Sequence, residues 1–174
     1  MALIETKQAA PGYKIKRATW RDLNDLYTLE HQCFNSEAWS LLDLVGVLTL
    51  PATSRLKAIA EEKMVGFIAG EIKKGEQLGW VTTVGVIPEY RHLGIGRALL
   101  RASEKEMKMP RVCLCVRKSN LGAIKLYESE GYRGIDEWRR YYEDGEDAII
   151  MEKLIVGAAL NFIPKNEKQP PKKD

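Results

Sequence analysis

The chain is poor in the residues that build metal centres and disulfide frameworks. Three cysteines, Cys33, Cys113 and Cys115, and two histidines are spread over 174 residues. An odd cysteine count at these spacings matches no disulfide framework and suits a reducing compartment. His31-x-Cys33 and Cys113-x-Cys115 are soft zinc-ligand types, but the pairs lie far apart in the chain. A buried thiol serves equally well as a small hydrophobe, so no metal is expected. Long apolar runs are also missing. No 18 apolar residues follow one another, and Met1 to Ala10 has neither the apolar stretch nor the cleavage site of a signal peptide. Charge of one sign is scarce too: a formal net charge of +3 is too small to imply a nucleic-acid partner. The expected setting is the cytoplasm, with neither membrane nor nucleic acid as a direct partner. No internal repeat is present.

What the chain does contain is the length and apolar content of one domain, with 45% hydrophobic residues. Tyr13 to Ala18 reads as a strand, and Thr19-Trp20-Arg21-Asp22 has the Ser/Thr-x-x-acid form of a helix cap. Leu23, Leu26, Tyr27 and Glu30 continue that helix; a second spans about Glu37 to Leu48, and Pro51 closes it. Arg55 to Glu61 and Val65 to Lys73 form an expected hairpin, and the β-branched run Trp80 to Ile87 a further strand. Ile95, Ala98, Leu99 and Ala102 have amphipathic helical spacing, up to Met109-Pro110. Arg111 to Arg117 is the next strand, followed by a helix capped by Ser119 or Asn120 and stopped by Gly131. Two strands, Tyr132 to Arg139 and Asp147 to Leu154, flank the turn Glu143-Asp144-Gly145-Glu146. The order β-α-α-β-β-β-α-β-α-β-β describes a mixed α/β sheet, without the regular alternation of a doubly wound dinucleotide fold. Residues 1–12 read as an extension, 13–155 as the domain, and 156–174 as a disordered Pro/Lys-rich tail.

The most informative stretch is IPEYRHLGIGRALL, residues 87–100, where a strand meets a helix through Arg91-x-x-Gly94-x-Gly96. A helix N-terminus presents unpaired N–H groups and about half a positive charge, which together favour a phosphate. Glycines let the backbone approach such a group, and Arg91 and Arg97 add charge. The same glycines would also serve a turn that needs them only for its backbone angles. Walker and Rossmann fingerprints are excluded: Arg97-Ala98 follows Gly96 where Lys-Ser/Thr would be required, and a third glycine is missing.

VGVIPEYRHLGIGRALL followed by LCVRKSNLGAIKLYESEGY resembles the acetyl-CoA-binding half of the GCN5-related N-acetyltransferase (GNAT) superfamily. The resemblance runs over roughly residues 13–155. It implies the GNAT fold: a mixed, mostly antiparallel sheet of six to seven strands, about four helices and a central parallel strand pair. It further implies that Arg91, His92, Leu93, Gly94, Ile95, Gly96 and Arg97 take the coenzyme A pyrophosphate, with Asn120 and Tyr127 matching the family's second motif. Val84, Gly85 and Val86 would hold the thioester carbonyl through backbone N–H groups, and Tyr127 would give a hydrogen bond to the leaving thiolate. A phenol with a reference pKa near 10 is protonated at neutral pH and can do this.

The segment YYEDGEDAIIM, residues 141–151, is similar to the C-terminal hairpin of protein Nα-acetyltransferases of the RimI and archaeal Ard1 type. That similarity implies that Tyr141, Tyr142 and, from the loop between the first two helices, Phe34 and Trp39 frame a substrate N-terminus. One position departs from the pattern: Cys115 in Leu114-Cys115-Val116-Arg117 replaces a Glu base. A thiol of pKa about 8.5 is a poor base at pH 7. The substitution is more tolerable for an α-amine, roughly 10% unprotonated at pH 7, than for lysine at about 0.04%. Tyr90, through a held water, and Glu30, Glu37 and Glu61 remain as proton acceptors. The expected activity is direct acetyl transfer to a protein or peptide α-amine in a ternary complex. The alternatives are a small amine (polyamine, amino acid or aminoglycoside) as acceptor, or a non-catalytic acetyl-CoA-binding module; a homodimer is compatible with each.

Overall fold

A computed structural model describes residues 12–34 and 38–155. The expected extension, the expected tail and Glu37 lie outside these residues, apart from Gly12. Seven strands form one sheet in the order β1-β2-β3-β4-β5-β7-β6. They are β1 (Tyr13–Arg17), β2 (Thr53–Ala60), β3 (Lys63–Lys73), β4 (Leu78–Val86), β5 (Arg111–Arg117), β6 (Arg133–Trp138) and β7 (Ala148–Leu154). The helices are α1 (Leu23–Phe34), α2 (Leu41–Thr49), α3 (Ile95–Met107) and α4 (Leu121–Ser129). Every neighbouring pair is antiparallel except β4 and β5. Strand, helix and strand in sequence (β4-α3-β5) require the crossover that makes this pair parallel.

Local signals place most boundaries. Thr19 and Asp22 form the expected capping box: the Thr19 N–H donates to Asp22 at 2.8 Å, and Lys57 of β2 then pairs with the same carboxylate. Helix α2 starts later than the spacing suggested because Ser40 is its cap, its hydroxyl accepting from the Asp43 N–H at 3.3 Å. Asn120, not Ser119, caps α4, and Gly131 at φ 93° ends it. Strands β6 and β7 are slightly shorter than expected, and Tyr141 and Tyr142 lie in the connection between them, where the expected bounds also put them.

The sheet separates two apolar layers. Leu99, Leu100 and Met107 of α3 pack with Ile68, Val81, Val112, Leu114 and Tyr127 on one face. Leu26, Leu29, Leu44, Val47 and Leu48 of α1 and α2 pack with Phe67 and Ala69 on the other. Close approach of α3 depends on glycine at Gly70 and Gly79, where an added Cβ would lie 2.8 Å from the Trp80 carbonyl and the Met107 sulfur respectively. Among the described residues no helix is long and apolar enough to cross a membrane.

Candidate active site

The parallel pair holds together for only part of its length. Leu78 to Val81 pair with Arg111 to Leu114, and no pairing continues beyond Val81. Strand β4 nevertheless runs on to Val86, still paired with β3 on its other edge through Gly66↔Val86 and Phe67↔Gly85. The last residues of β4 therefore have one ladder edge open toward β5. The Ile87 N–H donates to the Val65 carbonyl at 3.1 Å, so alternation along the strand turns the Gly85 N–H toward β3 and those of Val84 and Val86 into the gap. The Val86 carbonyl, which faces the same way, accepts from Arg91 Nε at 3.0 Å. Gly85 thus differs from its expected neighbours: its N–H faces β3, while its open Cα face receives α1. A Cβ there would lie 3.1 Å from Cys33 Sγ and 3.2 Å from Phe34 Cε2.

Past Val86 the chain makes a one-turn helix, Pro88–Tyr90, and enters α3 through His92 and Gly94, both with positive φ (64° and 80°). The first bond within α3 runs from the Ala98 N–H to the Gly94 carbonyl, leaving the N–H groups of Ile95, Gly96 and Arg97 without helical acceptors. The two glycines have separable reasons. Gly94 is required by its backbone angle. Gly96 has no such requirement, because a Cβ there would meet only Leu126 at 3.6 Å and Val86 at 3.8 Å, ordinary contacts. What its missing side chain leaves is free approach to the N–H cluster, the feature a diphosphate needs, and the residues present fit that group. Ile95 contributes backbone only, since its side chain is in the core. Arg97 is held away by protein partners: its Nε pairs with Glu130 at 2.8 Å and its Nη2 donates to Ser129 at 3.0 Å. Glu130, buried, also pairs with Arg101 at 2.6 Å, and these contacts hold its carboxyl below the usual range.

Across the gap, Tyr127 is buried, in tilted contact with Tyr132 at 5.9 Å, and its hydroxyl makes no hydrogen bond to another described residue. Burial, with a smaller contribution from Cys115, pushes its pKa well above that of an ordinary tyrosine, so it stays a donor. Asn120 does not share that environment: its side chain turns back to accept from the Ala123 N–H at 3.1 Å and is exposed. Tyr141 and Tyr142 meet edge to face at 5.1 Å, and both hydroxyls are in hydrogen-bonding contact with the Cys115 thiol. Burial raises both phenols, and Arg117 lies over the Tyr142 ring at 3.9 Å. Stacking of Trp138 on Trp80 at 5.9 Å and a tilted contact of Tyr141 with Trp138 at 5.5 Å tie this connection to the sheet.

The other expected residues are spread out. Tyr90 donates to Glu61 of the β2–β3 turn at 3.1 Å, which raises its pKa. Both groups are therefore engaged with each other rather than with Tyr127. Trp39 is half-buried against the α1–α2 layer, its N–H donating to Glu30 at 3.4 Å. Cys33, half-buried under Gly85, has its thiol pushed up to about 11, chiefly by burial. Sequence reasoning missed Glu130, and also Glu146, which accepts from the Ser119 N–H at 2.7 Å and from Arg117 at 2.6 Å. Neither pairing has a local signal, since the partners are far apart in sequence. A shallow depression lined by Lys118, Ser119, Gly145, Glu146 and Asp147 lies beside this hairpin. Among the described residues no group of three or more His, Cys, Asp and Glu side chains could hold a metal.

A parted parallel strand pair, an anion-ready helix start beside it and a buried phenol across it define an acyl-CoA-dependent transferase of α/β architecture. The family model described as Acetyltransferase (GNAT) family matches residues 18–132, and the chain belongs to that family. It is 42% identical over 164 residues to an N-alpha-acetyltransferase of Sulfurisphaera tokodaii, covering 85% of this chain and 98% of that protein. It is 31% identical over 153 residues to the catalytic subunit NAA10 of the N-terminal acetyltransferase A complex of Arabidopsis thaliana, covering 82% and 78%. In structure it is similar to the ribosomal-protein-S18-alanine N-acetyltransferase from Escherichia coli, with a TM-score of 0.78 and 29% identity over 87% of this chain and 99% of that one.

Proposed function

We propose that this enzyme transfers the acetyl group of acetyl-CoA to the N-terminal α-amine of a protein or peptide, by direct attack in a ternary complex in the cytoplasm. Residues 13–155 constitute the working unit. The observation that carries the reading is the parting of β4 from β5 after Val81, which frees the Val84 and Val86 N–H groups beside the Gly96 backbone.

The residues divide the work by position. The N–H groups of Ile95, Gly96 and Arg97 and the Arg91 guanidinium bind the pyrophosphate of the co-substrate. Val84 and Val86 donate to the thioester oxygen as negative charge develops there, worth about 3–4 kcal/mol per well-placed donor in other oxyanion holes. Tyr127 gives its hydroxyl hydrogen bond to the departing sulfur; its raised pKa keeps the proton available. Phe34, packed on Gly85, and the paired rings of Tyr141 and Tyr142 frame the incoming backbone. Cys115 is no strong base, and an α-amine of pKa about 8 needs little help to be free at pH 7. The identity to Nα-acetyltransferases over nearly the whole chain supports the same acceptor.

Incubation with acetyl-CoA and peptides differing at the first residue, beside polyamines and a lysine peptide blocked at its N-terminus, tests this. Thiol release with free-N-terminus peptides is expected; release with small amines alone would refute the α-amine assignment.

A further inference from the structure

Glu30 is one of the fully buried side chains of α1, with 0% exposure, on the same stripe as Leu26 and Leu29. A carboxylate at a core position is costly to bury, and an apolar residue of similar size would pack there at no such cost. What the carboxylate does that a leucine cannot is accept from two separate elements at once. Its Oε1 accepts from the Thr83 hydroxyl at 3.4 Å, and its Oε2 from the Trp39 backbone N–H at 3.4 Å. Thr83 immediately precedes Val84, which turns its N–H into the gap, and Trp39 belongs to the connection between α1 and α2. Beside this bridge, Cys33 and Phe34 rest directly on Gly85.

We propose that Glu30 is a positioning residue that sets the spacing between the acceptor side of the cleft and the strand holding the acetyl carbonyl. The inference rests on the proposed α-amine site, but not on which amine enters it. Reaction rates depend steeply on this spacing: a misplacement of about 1 Å can cost on the order of 100-fold. The Ile95, Gly96 and Arg97 N–H groups belong to α3, which packs on the face of the sheet opposite α1; although Arg91 touches Cys33 of α1, acetyl-CoA binding should feel the change far less than the acceptor does.

Glu30→Leu and, from the other end of the bridge, Thr83→Val are each expected to raise the acceptor KM by about 10-fold or more, with the acetyl-CoA Kd within about twofold of the parent. Glu30→Gln can keep both contacts, its amide oxygen accepting from Trp39 and its amide nitrogen donating to Thr83, and should restore the acceptor KM. An unchanged acceptor KM in Thr83→Val would overturn the proposal, as would parallel loss of acetyl-CoA binding, or a Gln variant as impaired as Leu. If the parent turns over only a small amine, the acceptor assignment falls, and the same three variants test the positioning role with that amine.

Discussion

The two ends of the β4–β5 pair are built from one strand yet do opposite things. At the Leu78–Val81 end the strand is paired on both edges, and glycine serves packing: Gly70 and Gly79 admit Met107 of α3. At the Thr82–Val86 end one edge is open, and glycine serves approach: Gly85 admits Phe34, and the neighbouring Gly96 leaves N–H groups uncovered. The lesson is that backbone polarity satisfied at one end for stability is left unsatisfied at the other for binding. Unsatisfied N–H groups are expensive unless a ligand or water meets them, so an opening of this kind marks a site.

The contrast can be broken deliberately. Removing the Tyr127 hydroxyl as Tyr127→Phe at the open end is expected to lower kcat by about 10²–10⁴-fold. Acetyl-CoA affinity should stay the same, and steady-state kinetics with a competition assay would separate the two. At the closed end, Gly70→Ala sets a Cβ 2.8 Å from the Trp80 carbonyl, which the backbone cannot easily yield. It should lose about 1–3 kcal/mol in chemical denaturation, and kcat below its melting range should be unchanged. Gly96→Ala should do the reverse. Its Cβ makes only ordinary contacts, so the melting temperature stays put, whereas the acetyl-CoA Kd rises about 10-fold, near 1.4 kcal/mol, by calorimetry.

The smallest effect concerns the hairpin beside the open end. The Ser119 N–H and hydroxyl and Arg117 lower the Glu146 pKa from 4.5 to about 2. A depressed carboxylate contributes stability that is complete above its unfolded value and is lost as pH falls through the folded one. The window therefore runs from about 4.5 down to about 2, and acid titration of the Tyr142 region by NMR should detect release of the hairpin across it. Glu146→Gln should remove that pH-dependent component and leave activity at pH 7 nearly intact.

Much of this was legible before the structure because it is local. The Thr19/Asp22 cap, the β-branched run of β4, the glycine loop and the Asn120 cap involve residues within a turn or two of one another. The candidate site was legible only as fragments. Arg97 reads as a phosphate ligand until Glu130 and Ser129 are seen to hold it, and Tyr90 as a base until Glu61 takes its hydroxyl proton in a hydrogen bond. Their spacing of seven residues puts Asn120 and Tyr127 on one helix face, but the capping Asn120 lies outside the helical rotation and its side chain accepts from the Ala123 N–H instead.

By itself the chain sequence determined the elements, their order and the chemistry on offer, since periodicity, caps and turn residues act over a few positions. Only the tertiary structure decided where β4 leaves β5, which N–H groups of β4 face the gap, and that α1 rests on Gly85 with Glu30 bridging to Thr83. Those outcomes depend on sheet register and on contacts between distant segments, and no local pattern specifies how far two parallel strands stay paired.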